Sequence, residues 1–553
     1  MKLMLILSVL AAVVGTDKYV NPVLNSDYSD PDVEAVNGEF WMTSSSFNCV
    51  PGLQILHSYN LVDWEIVGAA LPADSPYWDG ALACPDHGNA VWAPSIRYRE
   101  SSSEFYIFWG DPDRGVFQVH AKDPRGRWSD PVCVIPGQGL IDACPLFDED
   151  GRVYLVHGWA GSRAGFKSVL NVCELDSDCT KAIGEQVLVF DGNKNGNTTV
   201  EGPKFYRHDG KYWIFAPAGG VKTGWQLAMK ADSPFGPYEW KRVCEAADAK
   251  DVKAGKAAPT RAPHQGGWVK DGEGKYWFMH FEDRHAWGRV VHLQPMEWTS
   301  DGWCIIGKDI DKDGIGEPVA EWTKPAAAKT LSGNAPDGEE ISNGFSSVNI
   351  PLNWQWHSRP QVSWCMPNPS DGCLRLNCLK HEDGWKNLWD TPNLLLEKVV
   401  GPTTEVTAKL VFKPAYEGDR AGLTVMGQDY ATLEMYFDGE EVLLQRRDCY
   451  DAVKGKAESV LDSVPLKCEI SESEKPFCTV YVRVSIQDKP VKKNQELWPP
   501  VVECTFSYSL DGKKFKDIGP VFTAKEGQWI GAKAGFFATA DIKKNDGGSV
   551  EIH

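Results

Sequence analysis

Five copies of one phrase constrain this chain more than any other feature. They begin SDPDVEAVNGEFWMTSS at Ser29, WAPSIRYRESSSEFYIFWG at Trp92, IDACPLFDEDGRVYLVHGWAG at Ile141, EGPKFYRHDGKYWIFAPAGG at Glu201 and RAPHQGGWVKDGEGKYWFMHF at Arg261. Each holds a proline, an alternating apolar run, a tight turn and a second run rich in Tyr, Phe or Trp. In four of them the turn carries Asn37-Gly38, Asp150-Gly151, Asp209-Gly210 or Asp271-Gly272, and the second copy uses Ser101–Ser103 instead. Asn-Gly and Asp-Gly between alternating strands signal a hairpin, because both turn residues need positive φ. Recurrence every 45–65 residues or so is the spacing of propeller blades, one blade per copy.

With 553 residues the chain is too long for one ordinary domain. Five blades use the segment up to about residue 318. Residues 319–345 are poor in aromatics and rich in Ala, Gly and Pro, and read as a linker. Alternation returns from 346 to 553: TEVTAKLVFKP places Val406, Ala408, Leu410 and Phe412 on one face, CTVYVRVSIQ alternates, and FSYSLDGKKFKDIG turns at Asp511-Gly512. Closely spaced strands with turn residues predict an antiparallel β-sandwich. The expected fold class is therefore all-β: a five-bladed β-propeller in 16–318 followed by a β-sandwich.

The formal net charge of −19 argues against nucleic acid and anionic membranes as partners. Residues 1–15, MKLMLILSVLAAVVG, are too short to span a bilayer and read as a signal peptide, so a secreted or periplasmic protein is expected, with no membrane insertion. The 15 cysteines form no CxxC pair; Cys173 and Cys179 are spaced to bridge within a loop, and most others read as buried small residues. Cys144, beside Asp142, reads as packing. DIDKDGIGE, with Asp309, Asp311 and Asp313, starts like a calcium loop but has Ala320 at the twelfth position, so it reads as a surface turn, as does DGNKNGN at 191–197. Asn197 opens a glycosylation sequon.

Equivalent positions of different blades converge at one end of a propeller's channel. Around the aligned prolines stand Asp30 in the first copy, Asp142 in the third and Glu201 in the fourth; the second offers Trp92 and the fifth His264. Asp27 and Asp32 fall out of that register and are expected in turns or on solvent. Carboxylates from three blades beside an aromatic wall suit glycoside hydrolysis, in which one acid protonates the leaving oxygen and a second carboxylate activates water or attacks the sugar. A third can raise the acid's pKa by like-charge repulsion.

These motifs resemble glycoside hydrolase family 43. NPVLNSDYSDPDV with VPGLQILHSYNLVDW is similar to its opening, VWAPSIRY, LIDACPLFDEDGRVYLVHG and VEGPKFYRHDGKYWI to its next landmarks, and GRVVHLQPMEWTSDGW to the end of its propeller. NLWDTPNLLLEKVV and GDRAGLTVMGQDYATLEM resemble the concanavalin A-like (jelly-roll) sandwich of its β-xylosidase and α-L-arabinofuranosidase members. The resemblance implies an inverting mechanism, with Asp30 as general base, Glu201 as general acid and Asp142 as the aspartate that tunes and orients the acid. It assigns Arg289 and Trp92 to substrate binding and implies a sandwich loop closing the pocket, for which FTAKEGQWIGAK with Trp529 is the candidate. A core tryptophan is the equal alternative for Trp529. It requires no cofactor, yet allows a divalent cation, often calcium (Ca2+), held through water at His264. SDPD stands where many members have PDPS, which touches the loop and leaves the base in place.

The implied activity is an exo-acting glycosidase that removes terminal α-L-arabinofuranosyl or β-D-xylosyl residues from plant cell-wall oligosaccharide or polysaccharide, with a lean to arabinofuranose and the oligomeric state open. A non-catalytic sugar-binding propeller would lack one of the three carboxylates. A retaining β-fructosidase would carry Glu-Cys and Arg-Asp-Pro where this chain has Glu201-Gly202 and Ile141-Asp142-Ala143. An endo-arabinanase would need an open cleft.

Overall fold

The computed structural model describes residues 18–79, 85–255, 262–327, 329, 345–470, 476–490, 500–541 and 547–553. The signal-like segment 1–15, Arg261 and most of the 319–345 segment lie outside them. Each predicted hairpin forms the two inner strands of a four-stranded antiparallel sheet. The inner strands are Asp32–Val36, Trp92–Arg99, Leu140–Phe147, Lys204–His208 and His264–Lys270. Their sheets are the five blades of a propeller. Lys18–Val20 pairs with Glu321–Thr323, so the chain entering the first blade is bonded to the chain leaving the last.

Why five sheets close is visible in the packing. One apolar cluster fills each gap between neighbouring blades. Trp41, Ile55, Ile96 and Trp109 join blades one and two; Phe108, Ala143 and Leu155 join two and three; Tyr154, Phe205 and Ile214 join three and four; Trp213, Phe215 and Phe278 join four and five; Phe40, Leu56 and Trp277 close five onto one. Large aromatic side chains span the wedge that widens outward between twisted sheets, and their buried area supplies most of the adhesion.

From Gln355 onward two sheets of a β-sandwich follow, one of eight strands and one of nine. The strand Thr403–Lys413 pairs along its length with Pro476–Asp488, and Ala408, Leu410 and Phe412 are buried as their alternation requires. The hairpin at Asp511-Gly512 pairs Val502–Ser509 with Lys516–Asp517. The sandwich is bonded to blade one: Val50 and Trp356 form a bridge, the Asn48 amide donates to the His357 carbonyl (2.8 Å), and Gln54 donates to the Leu352 carbonyl (2.7 Å). Among the described residues no helix is long and apolar enough to cross a membrane.

Three sequence expectations change. Asp27 and Asp32 are not in exposed turns: both are buried. Cys173 and Cys179 share an apolar cluster without bonding each other, and Cys468–Cys478 is the disulfide among the described residues. Asn197 is buried, donating to Asn195 and accepting from the Trp225 indole, so its sequon offers no accessible amide.

Asp32 explains what fills the channel. Its Oδ2 accepts from Arg97 Nη1 (2.5 Å) and from the Ile96 N–H (2.8 Å). At the same level Lys204, fully buried, donates to the Pro94 carbonyl and the Ser95 hydroxyl (both 2.8 Å). On the fifth strand only glycine fits, since a Cβ at Gly267 would lie 2.5 Å from Asp32 Oδ1. A buried pair broken on one side leaves an uncompensated charge, at a cost of about 3–5 kcal/mol. Asp32→Ala should therefore lower the propeller's calorimetric unfolding midpoint by several degrees; an unchanged midpoint would show that the pair does not hold the channel.

Candidate active site

Each inner strand is headed by a residue with left-handed backbone: Asp30 (φ 55°), Ala93 (φ 27°), Asp142 (φ 59°), Gly202 (φ 57°) and Gln265 (φ 38°). In three blades the ladder breaks register there, between Trp92 and Ser95, Ile141 and Cys144, and His264 and Gly266. Such a bulge re-aims a side chain at the end of a strand. Non-glycine residues at positive φ cost about 1–3 kcal/mol each, and Asp tolerates the region best among these. Gly202 has a second reason, because a Cβ there would lie 2.6 Å from the Gln265 side chain.

This pattern corrects the register read from the prolines. Asp30 and Asp142 occupy the left-handed position itself. Glu201 sits one residue earlier, level with Trp92 and His264. The three carboxylates therefore come from two backbone settings, which aim them from different heights into one mouth.

Asp30 is buried, and its Oδ2 accepts a short hydrogen bond from the Ser45 hydroxyl (2.6 Å). Ser45 in turn accepts from the Ala93 N–H (2.7 Å), so blade two fixes the hydroxyl that fixes Asp30. Arg289 Nη1 approaches Oδ1 and Oδ2 at 3.3 and 3.4 Å. With Oδ2 committed to Ser45, Oδ1 is the oxygen left to take a proton from water. Ser45 was not singled out in the sequence; its neighbours Ser44 and Ser46 are serines too, so nothing marks it.

Asp142 and Glu201 are linked through one peptide group: the Gly202 N–H donates to Asp142 Oδ2 (2.7 Å). Burial, then the charges of Glu201 and Asp30, push Asp142 up to about 8. The cluster thus retains a proton into the neutral range, as a site that must donate one requires. Glu201 Oε1 lies 3.0 Å from His264 Nε2, and its side chain is 30% exposed against 8% for Asp30. One oxygen is held and the carboxyl still faces the opening, the arrangement a proton donor to an incoming glycosidic oxygen needs.

Trp92 donates through Nε1 to the Gly88 carbonyl (2.8 Å), which sets its ring at the rim. Trp529, at φ 65° and 48% exposed, belongs to a sandwich loop and not to the sandwich core. It meets Trp92 edge-on at 6.4 Å between centroids and lies 5.9 Å from the Arg289 guanidinium. Its carbonyl accepts from Ser29 Oγ (3.2 Å). Glycines let the loop sit this low: a Cβ at Gly88 would lie 2.8 Å from Trp529 Cδ1, and one at Gly531 would lie 2.7 Å from the Gly288 nitrogen. The structure thus brings Asp30, Asp142, Glu201, Arg289, Trp92, Trp529 and His264 to one channel mouth.

A calcium ion takes six to eight oxygen ligands. His264 has Nε2 engaged by Glu201 and only a buried nitrogen, Nδ1, without a hydrogen bond. The one group of three close ligand atoms among the described residues is Asp309, Asp311 and Asp313, in an exposed turn elsewhere. His264 thus offers one buried ring nitrogen toward the channel cation that the resemblance allows, whose oxygen ligands would have to come from water.

Because the folded state holds Asp142's proton far above its ordinary value near 3.8, folding binds more protons than the unfolded chain between about pH 4 and 8. Stability from this group is full below that window and falls as pH rises through it. Asp142→Asn should flatten the decline in unfolding midpoint between pH 5 and 8; parallel wild-type and variant curves would remove Asp142 as its source.

Residues 19–304 match the family model for glycosyl hydrolases family 43, and residues 342–552 match that for the beta xylosidase C-terminal concanavalin A-like domain. A Xylanibacter ruminicola relative is 31% identical over 528 residues, 95% of this chain and 87% of its own. A beta-xylosidase of Formosa agariphila is 28% identical, covering 97% and 90%. A non-reducing end alpha-L-arabinofuranosidase of Bacteroides ovatus is 27% identical, covering 78% and 79%. The crystal structure of a xylan beta-1,4-xylosidase from Bacillus halodurans has the same fold, with a TM-score of 0.77, 21% identity, and coverage of 96% and 98%.

Proposed function

The chain belongs to glycosyl hydrolases family 43, and from that premise we propose that it is an exo-acting, inverting glycosidase that removes terminal β-D-xylosyl or α-L-arabinofuranosyl residues from plant cell-wall hemicellulose. The observation that carries the exo reading is Trp529, set by the second domain across the mouth that holds the three carboxylates. A mouth roofed in this way admits the end of a glycan chain and not its middle.

Asp30 takes a proton from a water that attacks the anomeric carbon. Glu201 gives a proton to the departing oxygen. Asp142, bonded to the peptide next to Glu201, orients that acid and keeps a proton in the carboxylate cluster into the neutral range. Arg289, beside Asp30 and under Trp529, offers its remaining N–H donors to sugar hydroxyls. Both terminal sugars stay in the reading. The β-xylosidase relative spans more of this chain than the arabinofuranosidase does, which moves xylose ahead of the sequence-based lean. The apolar leader in residues 1–15 supports an exported enzyme.

Leaving-group chemistry separates the two catalytic roles. Nitrophenolate leaves without a proton, whereas a sugar alkoxide does not. Asp30→Asn should lower kcat on both a 4-nitrophenyl glycoside and xylobiose by about 10²–10⁴. Glu201→Gln should lose comparably on xylobiose and much less on the nitrophenyl substrate. Equal losses in Glu201→Gln on the two substrates would remove it as the acid. Absence of release from both the 4-nitrophenyl β-D-xyloside and the α-L-arabinofuranoside by the wild type would overturn the exo reading.

A further inference from the structure

The last blade ends in a turn that no step of the hydrolysis uses. Residues 309–317 read DIDKDGIGE and join the outer strand of blade five, Cys304–Ile306, to the segment that closes the ring. One carboxylate oxygen from each of Asp309, Asp311 and Asp313 lies within 4.8 Å of the other two. Calcium–oxygen bonds run about 2.3–2.6 Å, so ligands on opposite sides of one ion stand about 5 Å apart, and the three oxygens fit inside that span. Exposed aspartates alone would mean little, and the weight rests on a fourth carboxylate.

Glu317 is only 8% exposed. Its Oε2 accepts from the Ile310 N–H (2.9 Å), which sets the carboxylate inside the loop, and among the described residues Oε1 has no hydrogen-bond partner. Burial first, and then the charges of Asp311, Asp309 and Asp313, raise its pKa, so it faces all three. Among the described residues no lysine, arginine or histidine forms an ion pair with any of the four. Lys241, which reaches Gly314, is paired with Asp301 (3.6 Å), and Lys250 with Asp248 (3.0 Å). Buried charges are normally paired or bound to a metal, so an unpaired carboxylate aimed at three others calls for a cation. The spacing names the kind. Calcium loops take ligands from positions 1, 3, 5, 7 and 9, with glycine at 6 for the sharp turn. Counted from Asp309 these are Asp309, Asp311, Asp313, the Ile315 carbonyl and Glu317, and position 6 is Gly314 at φ 85°. Ala320 at the twelfth position argued against calcium, because a helix–loop–helix site takes its bidentate glutamate there. This loop closes earlier: Lys308 and Glu317 form an antiparallel bridge, so the ninth residue is the one that returns to the start. Five oxygen donors without His or Cys suit a hard cation and not zinc.

We propose that residues 309–317 form a structural calcium site, in which Asp309, Asp311, Asp313, the Ile315 carbonyl and Glu317 hold one ion and water completes its shell. The ion fastens the exit of blade five to the ring closure. Gly316 bridges Cys244 in the outer strand of blade four, Glu239–Glu245, and the Asn21 N–H donates to the Ala320 carbonyl (2.8 Å). The site is separate from His264 and from the three catalytic carboxylates, and it is independent of which terminal sugar is cleaved.

Titration calorimetry of calcium chloride into the chelator-treated full-length protein tests it. Saturable binding is expected, at least tenfold tighter for calcium than for magnesium. Glu317→Gln should weaken it at least tenfold, and Asp311→Asn, at an exposed position, should do the same and serves if Glu317→Gln does not fold. Because the ion binds the folded state, calcium should raise the wild-type unfolding midpoint by several degrees and that of Asp311→Asn by much less. The kcat of Asp311→Asn on a 4-nitrophenyl glycoside should match the wild type, which keeps this test apart from that of the catalytic residues. No saturable calcium binding would overturn the proposal. So would binding and a thermal shift that persist unchanged in Asp311→Asn, since the ion would then sit elsewhere, or magnesium binding as tightly as calcium.

Discussion

The molecule depends on one backbone constraint: a left-handed residue at the head of every inner strand of a five-bladed propeller. Closing five twisted sheets around an axis brings those strand heads together. The kink then turns one residue from each into the shared mouth, where a regular strand would alternate into the blade interfaces. The cost of positive φ recurs at Asp30, Ala93, Asp142 and Gln265, and is absorbed by the apolar clusters that clamp each pair of blades. Two of the kinks are held across blades: Ser45, which bonds Asp30 within blade one, is itself fixed by the Ala93 N–H of blade two, and the Gly202 N–H of blade four donates to Asp142.

The second domain completes the site through buried charge. Asp27, one residue before Tyr28 and two before Ser29, accepts from the Arg289 N–H (2.9 Å), and burial raises its pKa against the pull of Lys398 and Lys533. Lys398, from the sandwich, is lowered to about 7 by burial and lies 3.7 Å over the Tyr28 ring. Lys533 donates to Gln355 Oε1 (2.8 Å). These groups sit between the loop carrying Trp529 and the strand carrying Arg289. A small neutral residue at Asp27 would leave two buried lysines without their counter-charge, so the roof over the pocket and the orientation of Arg289 rest on the same contact.

Much of this was legible from the residues. The Asn-Gly and Asp-Gly turns and the alternating aromatics gave the blades, since local backbone preference and burial agree there. Asp30, Asp142 and Glu201 stood out because the repeat repeats their surroundings. What the sequence hid is where tertiary contact decides. The one-residue offset of Glu201 follows from Gly202 taking the kink, which proline alignment does not reveal. Asp32 looks like a turn residue until Arg97, 65 positions on, is seen to neutralise it in the channel. Ser45 is one of three consecutive serines, and only its position opposite Ala93 selects it. Cys468 and Cys478 bond across a short separation that carries no motif.

The central claim is that Asp30 activates water on the face of the sugar opposite to Glu201. The stereochemistry of the first-formed product reads this directly. Proton NMR during hydrolysis of a β-D-xyloside, recorded before mutarotation, should show α-D-xylose appearing first. Initial release of β-D-xylose would mean retention through a covalent intermediate, and would contradict the assignment of Asp30 as a base.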